Sequence, residues 1–177
     1  MFGAPVDLSF KNITYLSGAM LEEPQSGLRP LKTNSEKKYL SRSLRLNNNR
    51  IGDLKGLQYV LRHFLARPLN LGWLDLSFNK IRSIDPVLCE LSELRVLYLH
   101  GNNICNLSEV DKLGELQHLH TITLHGNSIE DKGYRNHVIS VLPHLKSIDF
   151  SAVTPEEQAL ANVWHHCVNH SKEHKGD

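Results

Sequence analysis

The side chains best equipped for chemistry gather near one end of the chain: His165, His166, Cys167, His170 and His174. His166, His170 and His174 recur at i, i+4 and would share one helix face, the spacing of some zinc ligand sets. They stand in a polar terminal tail, where a closed tetrahedral shell is hard to hold, so the expectation is a frayed helix end and no metal. A second group, Asp75, Tyr98, His100 and His125, combines a carboxylate, a phenol and two imidazoles. Acid–base or nucleophilic catalysis would need these groups in a cleft that excludes water. Neither a phosphate-cradling glycine loop nor a G-x-S-x-G elbow accompanies them. The sequence therefore predicts no catalytic residue, no cofactor and no enzyme.

The elements that hold these residues are legible from internal repetition, which is sought first because it decides the fold. Leu71-Gly-Trp-Leu-Asp-Leu-Ser-Phe-Asn-Lys-Ile81 aligns with the segments Leu94–Ile104 and Leu119–Ile129, and with Ser41–Ile51 except at its first position. A fifth copy, Leu145–Val153, lacks the asparagine. Taking Asn49, Asn79, Asn102, Asn127 and Val153 as equivalent, the steps are 30, 23, 25 and 26 residues. The shared L-x-x-L-x-L-x-x-N-x-I pattern resembles the leucine-rich repeat. That resemblance implies an α/β solenoid: a curved parallel β-sheet with helices and turns on its convex side, and capped ends. Each x-L-x-L-x core reads as a short strand with leucines inward and intervening residues outward. Asn49, Asn79, Asn102 and Asn127 read as a structural ladder that satisfies backbone groups where the chain leaves each strand.

Between strands the apolar spacing turns helical. Leu54, Leu57, Leu61, Phe64 and Leu65 predict a longer helix in the first step. Ile84, Leu88, Leu91 and Leu94 follow Asp85-Pro86, a cap and first helical residue. Leu107, Leu113, Leu116 and Leu119 predict another helix, with Ser108 as its cap. Three regions emerge: an N-terminal extension and cap (1–40), about five repeats (41–153) and a C-terminal capping helix with a polar tail (154–177). Thr154 and Glu157 fit a capping box, and the helix they open is expected to turn Ala159, Leu160, Val163 and Trp164 toward the core. Val6–Ile13 is either a degenerate strand or a chance likeness to Leu74–Ile81. Glu22–Leu31 reads as an extended connector, and Lys32–Lys38 as loose and polar.

Lys and Arg total 20 against 19 Asp and Glu, a net charge of +1. Nucleic-acid binding draws on a clear basic surplus, so it is disfavoured. No stretch reaches the roughly 20 apolar residues that span a bilayer, so no membrane contact is expected. The first residues lack a basic start followed by an apolar run, and three scattered cysteines make no disulfide framework, which together predict a reducing, intracellular setting.

The short repeats and the Tyr134-Arg135, Leu142-Pro143 and Asp149-Phe150 cap resemble the small subfamily of phosphatase-1 regulators of the SDS-twenty-two type, spliceosomal U2 A-prime proteins and axonemal dynein light chains. Glu22–Lys32, Ser83–Leu88, Val96–Asn102 and Leu124–Asn127 resemble more closely the family of leucine-rich repeat-containing protein 51. This resemblance covers nearly the whole chain. It implies a structural or docking role in the axoneme of cilia and flagella, with axonemal or microtubule-associated proteins as partners; the wider subfamily implies a phosphatase or ribonucleoprotein adaptor as the alternative.

The repeat register places a partner-binding face on the outward strand positions: Arg45, Trp73, Asp75, Tyr98, His100, Thr123 and His125, with Phe78 just beyond a strand end. Trp73 and Tyr98 fall on adjacent strands, as aromatic anchors of an interface do. Phe78 either joins them or packs in its turn. Three rows of five residues fall short of the roughly 20–30 that a standard interface uses per side, so an end or tail is expected to contribute.

Overall fold

The computed structural model describes residues 2–173, with side chains throughout except at 166 and 168–173. Its backbone is one seven-stranded sheet in chain order. Strands β1 (Val6–Asp7), β2 (Ser43–Arg45), β3 (Trp73–Asp75), β4 (Val96–Tyr98), β5 (Thr121–Thr123) and β6 (Ser147–Ile148) pair in parallel, and β7 (Ser151–Ala152) turns back antiparallel to β6. The register sets Leu44, Leu74, Leu97 and Ile122 side by side. All four are fully buried, as are Leu46, Leu76 and Leu99 two residues on. Period-two alternation explains this: one face of every strand meets the core and the other stays open. Each such side chain contributes about 1.5–3 kcal/mol of burial.

The returning segments close the other side of the core. The first is α2 (Leu57–Phe64), which buries Leu57, Val60, Leu61 and Phe64. The next two are 3₁₀ segments, Pro86–Glu90 and Leu107–Glu115, rather than α-helices. Steps of 23 and 25 residues leave little chain for the return, and the tighter 3₁₀ coil suits such short connectors. Asp85 caps the first by accepting from the Val87 amide at 2.9 Å. The second is capped by Asn106, one residue before Ser108: Asn106 Oδ1 accepts from the Ser108 amide at 3.0 Å and the Ser108 hydroxyl at 2.8 Å.

The N-terminal segment supplies a genuine strand. Val6 pairs with Leu44, and Val6 and Leu8 are fully buried. A short helix α1 (Leu16–Ala19) follows, burying Leu16 and Ala19. The connector then folds back over the sheet edge, where the Gln25 amide donates to the Asp7 carbonyl at 2.8 Å. The stretch 32–38 is anchored rather than loose. Asn34 Oδ1 accepts from the amides of Glu36 and Lys38, and Tyr39 bridges both Thr33 and Leu65.

At the other end stand α3 (Tyr134–Val141) and α4 (Pro155–Glu173). The capping box forms: the Glu157 amide donates to Thr154 Oγ1 at 3.2 Å, and the Thr154 amide to Glu157 Oε2 at 3.0 Å. The buried face of α4 is not the expected one. Ala161 is fully buried and Trp164 partly so, while Ala159, Leu160 and Val163 are exposed. This face is the one turned to α3, where the Arg135 guanidinium holds Glu157 through Nε–Oε1 at 2.6 Å and His137 meets the Trp164 ring edge-to-face at 5.8 Å.

Candidate interaction surface

The asparagines form one continuous ladder. Each Nδ2 donates to the carbonyl of its own strand-end residue: Leu46, Leu76, Leu99 or Leu124, at 2.7–3.1 Å. Each also donates to the equivalent carbonyl of the preceding repeat: Leu8, Leu46, Leu76 or Leu99, at 2.9–3.0 Å. Each Oδ1 accepts from the preceding repeat's isoleucine amide (Ile13, Ile51, Ile81 or Ile104) at 3.0 Å. One side chain thus satisfies three backbone groups and ties two repeats together. Asn49 reaches back to Leu8 and Ile13, which makes Val6–Ile13 a repeat in everything except Lys11 at the ladder position.

On the open sheet face the strands carry a continuous aromatic strip. Arg45 lies over the Trp73 ring at 5.5 Å. Trp73 meets Tyr98 edge-to-face at 5.5 Å, and Tyr98 meets Phe150 at 5.5 Å. His100 and His125 stack at 4.7 Å with an interplanar angle of 10°, and Phe150 contacts both. Phe78 closes the strip against His100 at 5.0 Å. Its ring lies over Gly101, where an added Cβ would come within 2.6 Å of it and where φ is +69°. Glycine here permits both the turn and the ring contact. Phe78 therefore packs in its turn and, at 54% exposure, still faces solvent.

Asp149 organises one end of the strip. It accepts from the amides of Leu124 (2.6 Å) and His125 (2.9 Å), from His125 Nδ1 (3.1 Å) and from the Tyr134 hydroxyl (2.6 Å). The two amides lie where the last parallel strand has ended, so the carboxylate takes the place of a missing backbone carbonyl. Burial pushes the Asp149 carboxyl up, but the Tyr134 hydroxyl, the amides and His125 outweigh it and hold it below the ordinary value. Burial and the bond to Asp149 drive the Tyr134 hydroxyl the other way, well above a free phenol. The His100 imidazole is lowered by burial first and by its neighbour His125 second.

The leucine-rich-repeat family model matches residues 43–175. The chain is 49% identical over 161 residues to leucine-rich repeat-containing protein 51 of Macaca mulatta, covering 90% of this chain and 84% of that protein. This chain belongs to that leucine-rich-repeat family. The Homo sapiens relative is 48% identical over the same length. U2 small nuclear ribonucleoprotein A' of Arabidopsis thaliana is 34% identical over 118 residues, 66% of this chain and 44% of that protein. Among solved structures, the Drosophila melanogaster SNF/U2A' complex matches with a TM-score of 0.61 at 22% identity, over 76% of this chain and 86% of that one, a likeness of fold.

Within this leucine-rich-repeat frame, the residues expected to meet a partner separate into two groups. Arg45, Trp73, Phe78, Tyr98 and His125 are exposed or partly so. Thr123 has no exposed surface; its hydroxyl lies 2.7 Å from His100 Nδ1 and holds that ring in place. Asp75 is 8% exposed and accepts from the Ser77 amide and hydroxyl, and His100 is 9% exposed. Thr123 and Asp75 are thus withdrawn from solvent, while His100 is a nearly buried member of the strip, in ring contact with Phe78, Tyr98, His125 and Phe150. Phe150 escaped the sequence reading, which placed it inward as the second leucine equivalent of the last repeat. Positive φ values at Asp149 and Phe150, +50° and +62°, turn it outward to 63% exposure. The missing asparagine in that repeat was the available signal that the strand pattern ends there. Among the described residues, no group of three or more His, Cys, Asp or Glu is placed to hold a metal. His174 lies outside the described residues, and the side chains of His166 and His170 lie outside those described.

Proposed function

We propose that the chain is a non-enzymatic protein-interaction module and serves as a structural or docking subunit of the ciliary or flagellar axoneme. The observation that carries the interaction role is the exposed strip of Trp73, Tyr98 and Phe150 in mutual contact on one sheet face. Contiguous aromatic surface rimmed by polar residues is typical of a binding site. The axonemal and cytoplasmic placement rests on the resemblance to small repeat proteins of motile cilia, with axonemal or microtubule-associated proteins as partners. A second reading, an adaptor in a ribonucleoprotein or phosphatase complex, draws support from the 34% identity to U2 small nuclear ribonucleoprotein A'.

Salt separates the two, because phosphate-linked assembly weakens steeply with ionic strength. Tagged protein in ciliated cells is extracted with detergent and then with graded salt, alongside a Trp73→Ala, Tyr98→Ala variant. The axonemal reading expects the wild type in the salt-resistant axoneme and the variant in the soluble pool. Retention of both the wild type and the variant moves the contact away from the strip. Release of the wild type by mild salt removes the axonemal reading and leaves the adaptor.

A further inference from the structure

A second row of residues stands one position before the strands that carry the aromatic strip. One residue before Ser43, Trp73, Val96, Thr121 and Ser147 stand Arg42, Gly72, Arg95, His120 and Lys146. Backbone bonds join all five in a line. Gly72 donates to the Arg42 carbonyl at 2.9 Å, Arg95 to Gly72 at 2.9 Å, His120 to Arg95 at 3.0 Å and Lys146 to His120 at 2.7 Å. Four of the five are basic side chains, at β2, β4, β5 and β6 with Gly72 at β3 between the first two, although the whole chain is almost neutral at +1. Arg95 and Lys146 are exposed and make no ion pair among the described residues. Arg42 is already engaged, its Nε donating to the Asn70 carbonyl at 2.6 Å and its guanidinium meeting Glu93 at 3.8 Å. His120 reports the concentration of charge: burial lowers its imidazole, and Lys146 and Arg95 lower it further. At strand spacing the row spans roughly 19 Å.

We propose that the segment of a partner protein seated on the aromatic strip is acidic, with carboxylates paired to Arg95 and Lys146 while apolar side chains meet Trp73, Tyr98 and Phe150. This rests on the strip being the interface. Arg95 and Lys146, exposed and without an ion pair among the described residues, call for a complementary partner, since leaving them beside a buried contact would cost affinity. A protein fits better than a nucleic acid. The rings lie edge-to-face at 80° and 64°, turning much of their faces toward one another rather than offering open platforms for bases. The near-zero net charge also lacks the surplus that phosphate binding draws on.

The test uses the full chain and a fluorescein-labelled peptide of about 14 residues, long enough as a helix to cross the row, with leucines at i, i+3 and i+4 spacing and glutamates between. A twin peptide carries glutamine for every glutamate, and a U-rich single-stranded RNA of similar length completes the set. The glutamate peptide should bind about tenfold tighter than its glutamine twin at low salt, the sum of two rim ion pairs. Arg95→Glu with Lys146→Glu should remove that difference and leave the glutamine peptide's affinity within about twofold. Trp73→Ala with Tyr98→Ala should weaken both peptides alike. Equal binding of the two peptides to the wild type overturns the acidic partner but leaves the strip as the interface. Unchanged binding by the aromatic variant removes the strip itself. No binding of either peptide at millimolar concentration, or tighter binding of the RNA, overturns the proposal.

Discussion

Asn102 shows how much one side chain can carry. It donates to Leu76 and Leu99 carbonyls and accepts from the Ile81 amide, and it is 4% exposed. Alanine would leave the buried Ile81 amide without a partner, at about 1–3 kcal/mol, and would take one of two asparagine donors from each of the Leu76 and Leu99 carbonyls, which keep Asn79 and Asn127. Asn102→Ala should therefore lower stability by about 2–4 kcal/mol, read as a lower urea midpoint with an unchanged slope. Trp73→Ala with Tyr98→Ala should cost far less, about 1–2 kcal/mol, because both rings are already partly solvated. Binding should fail in the second variant while the fold survives. Asp149 brings in pH. Its carboxyl titrates below the ordinary value in the folded chain, so the stability it confers is present above that ordinary value and is lost as pH falls through the folded one. An Asp149→Asn variant should be less stable at neutral pH and lose less on acidification below about pH 4, as thermal melts across pH would record.

The capping elements obey the same logic one level up. Arg135 of α3 ties α4 down, binding Glu157 at 2.6 Å and the Ala152 carbonyl at 2.8 Å. The bond to Arg135, followed by the Thr154 amide, draws the Glu157 carboxyl down to about 2. A depressed carboxylate stabilises above its unfolded value near 4.5 and loses that contribution as pH falls toward 2. Glu157→Gln should flatten this acid-sensitive part of the stability curve. Thr154→Ala removes the other half of the capping box and should cost about 1 kcal/mol by chemical denaturation. In both variants the face of α4 carrying Ala161 should loosen first, visible as faster amide exchange in α4 and α3 than in β3 or β4.

Across the whole molecule, each repeat meets mainly its neighbours, so stability is close to a sum of units and junctions, and the ends need covers. The N-terminal cover consists of β1, α1 and the connector that binds Asp7 through Gln25. Deleting residues 1–38 would expose the edge of β2 and the buried neighbours of Val6, Leu8, Ile13, Leu16 and Ala19. An open strand edge beside exposed leucines pairs with other chains. The truncated chain should therefore self-associate in sedimentation at concentrations where the full chain sediments as a smaller species.

The sequence by itself determined the repeat register, the asparagine ladder, the α/β solenoid and the capping box, because each depends on local periodicity or on residues three or four apart. It also named Trp73 and Tyr98, since strand alternation alone assigns them to the open face. Tertiary structure decided the rest. Whether Val6–Asp7 is a strand depends on Asn49, more than forty positions away in the chain, bonding to Leu8. Thr123 is buried with its hydroxyl against His100 of a neighbouring strand, and no local pattern records that. Phe150 faces outward because the chain reverses at Asp149, whose carboxylate caps β5 in place of a further strand. The buried face of α4 is the one turned to α3, where Arg135 and His137 meet it. In each case the deciding contact joins residues far apart in sequence, where composition and spacing carry no information about what lies opposite.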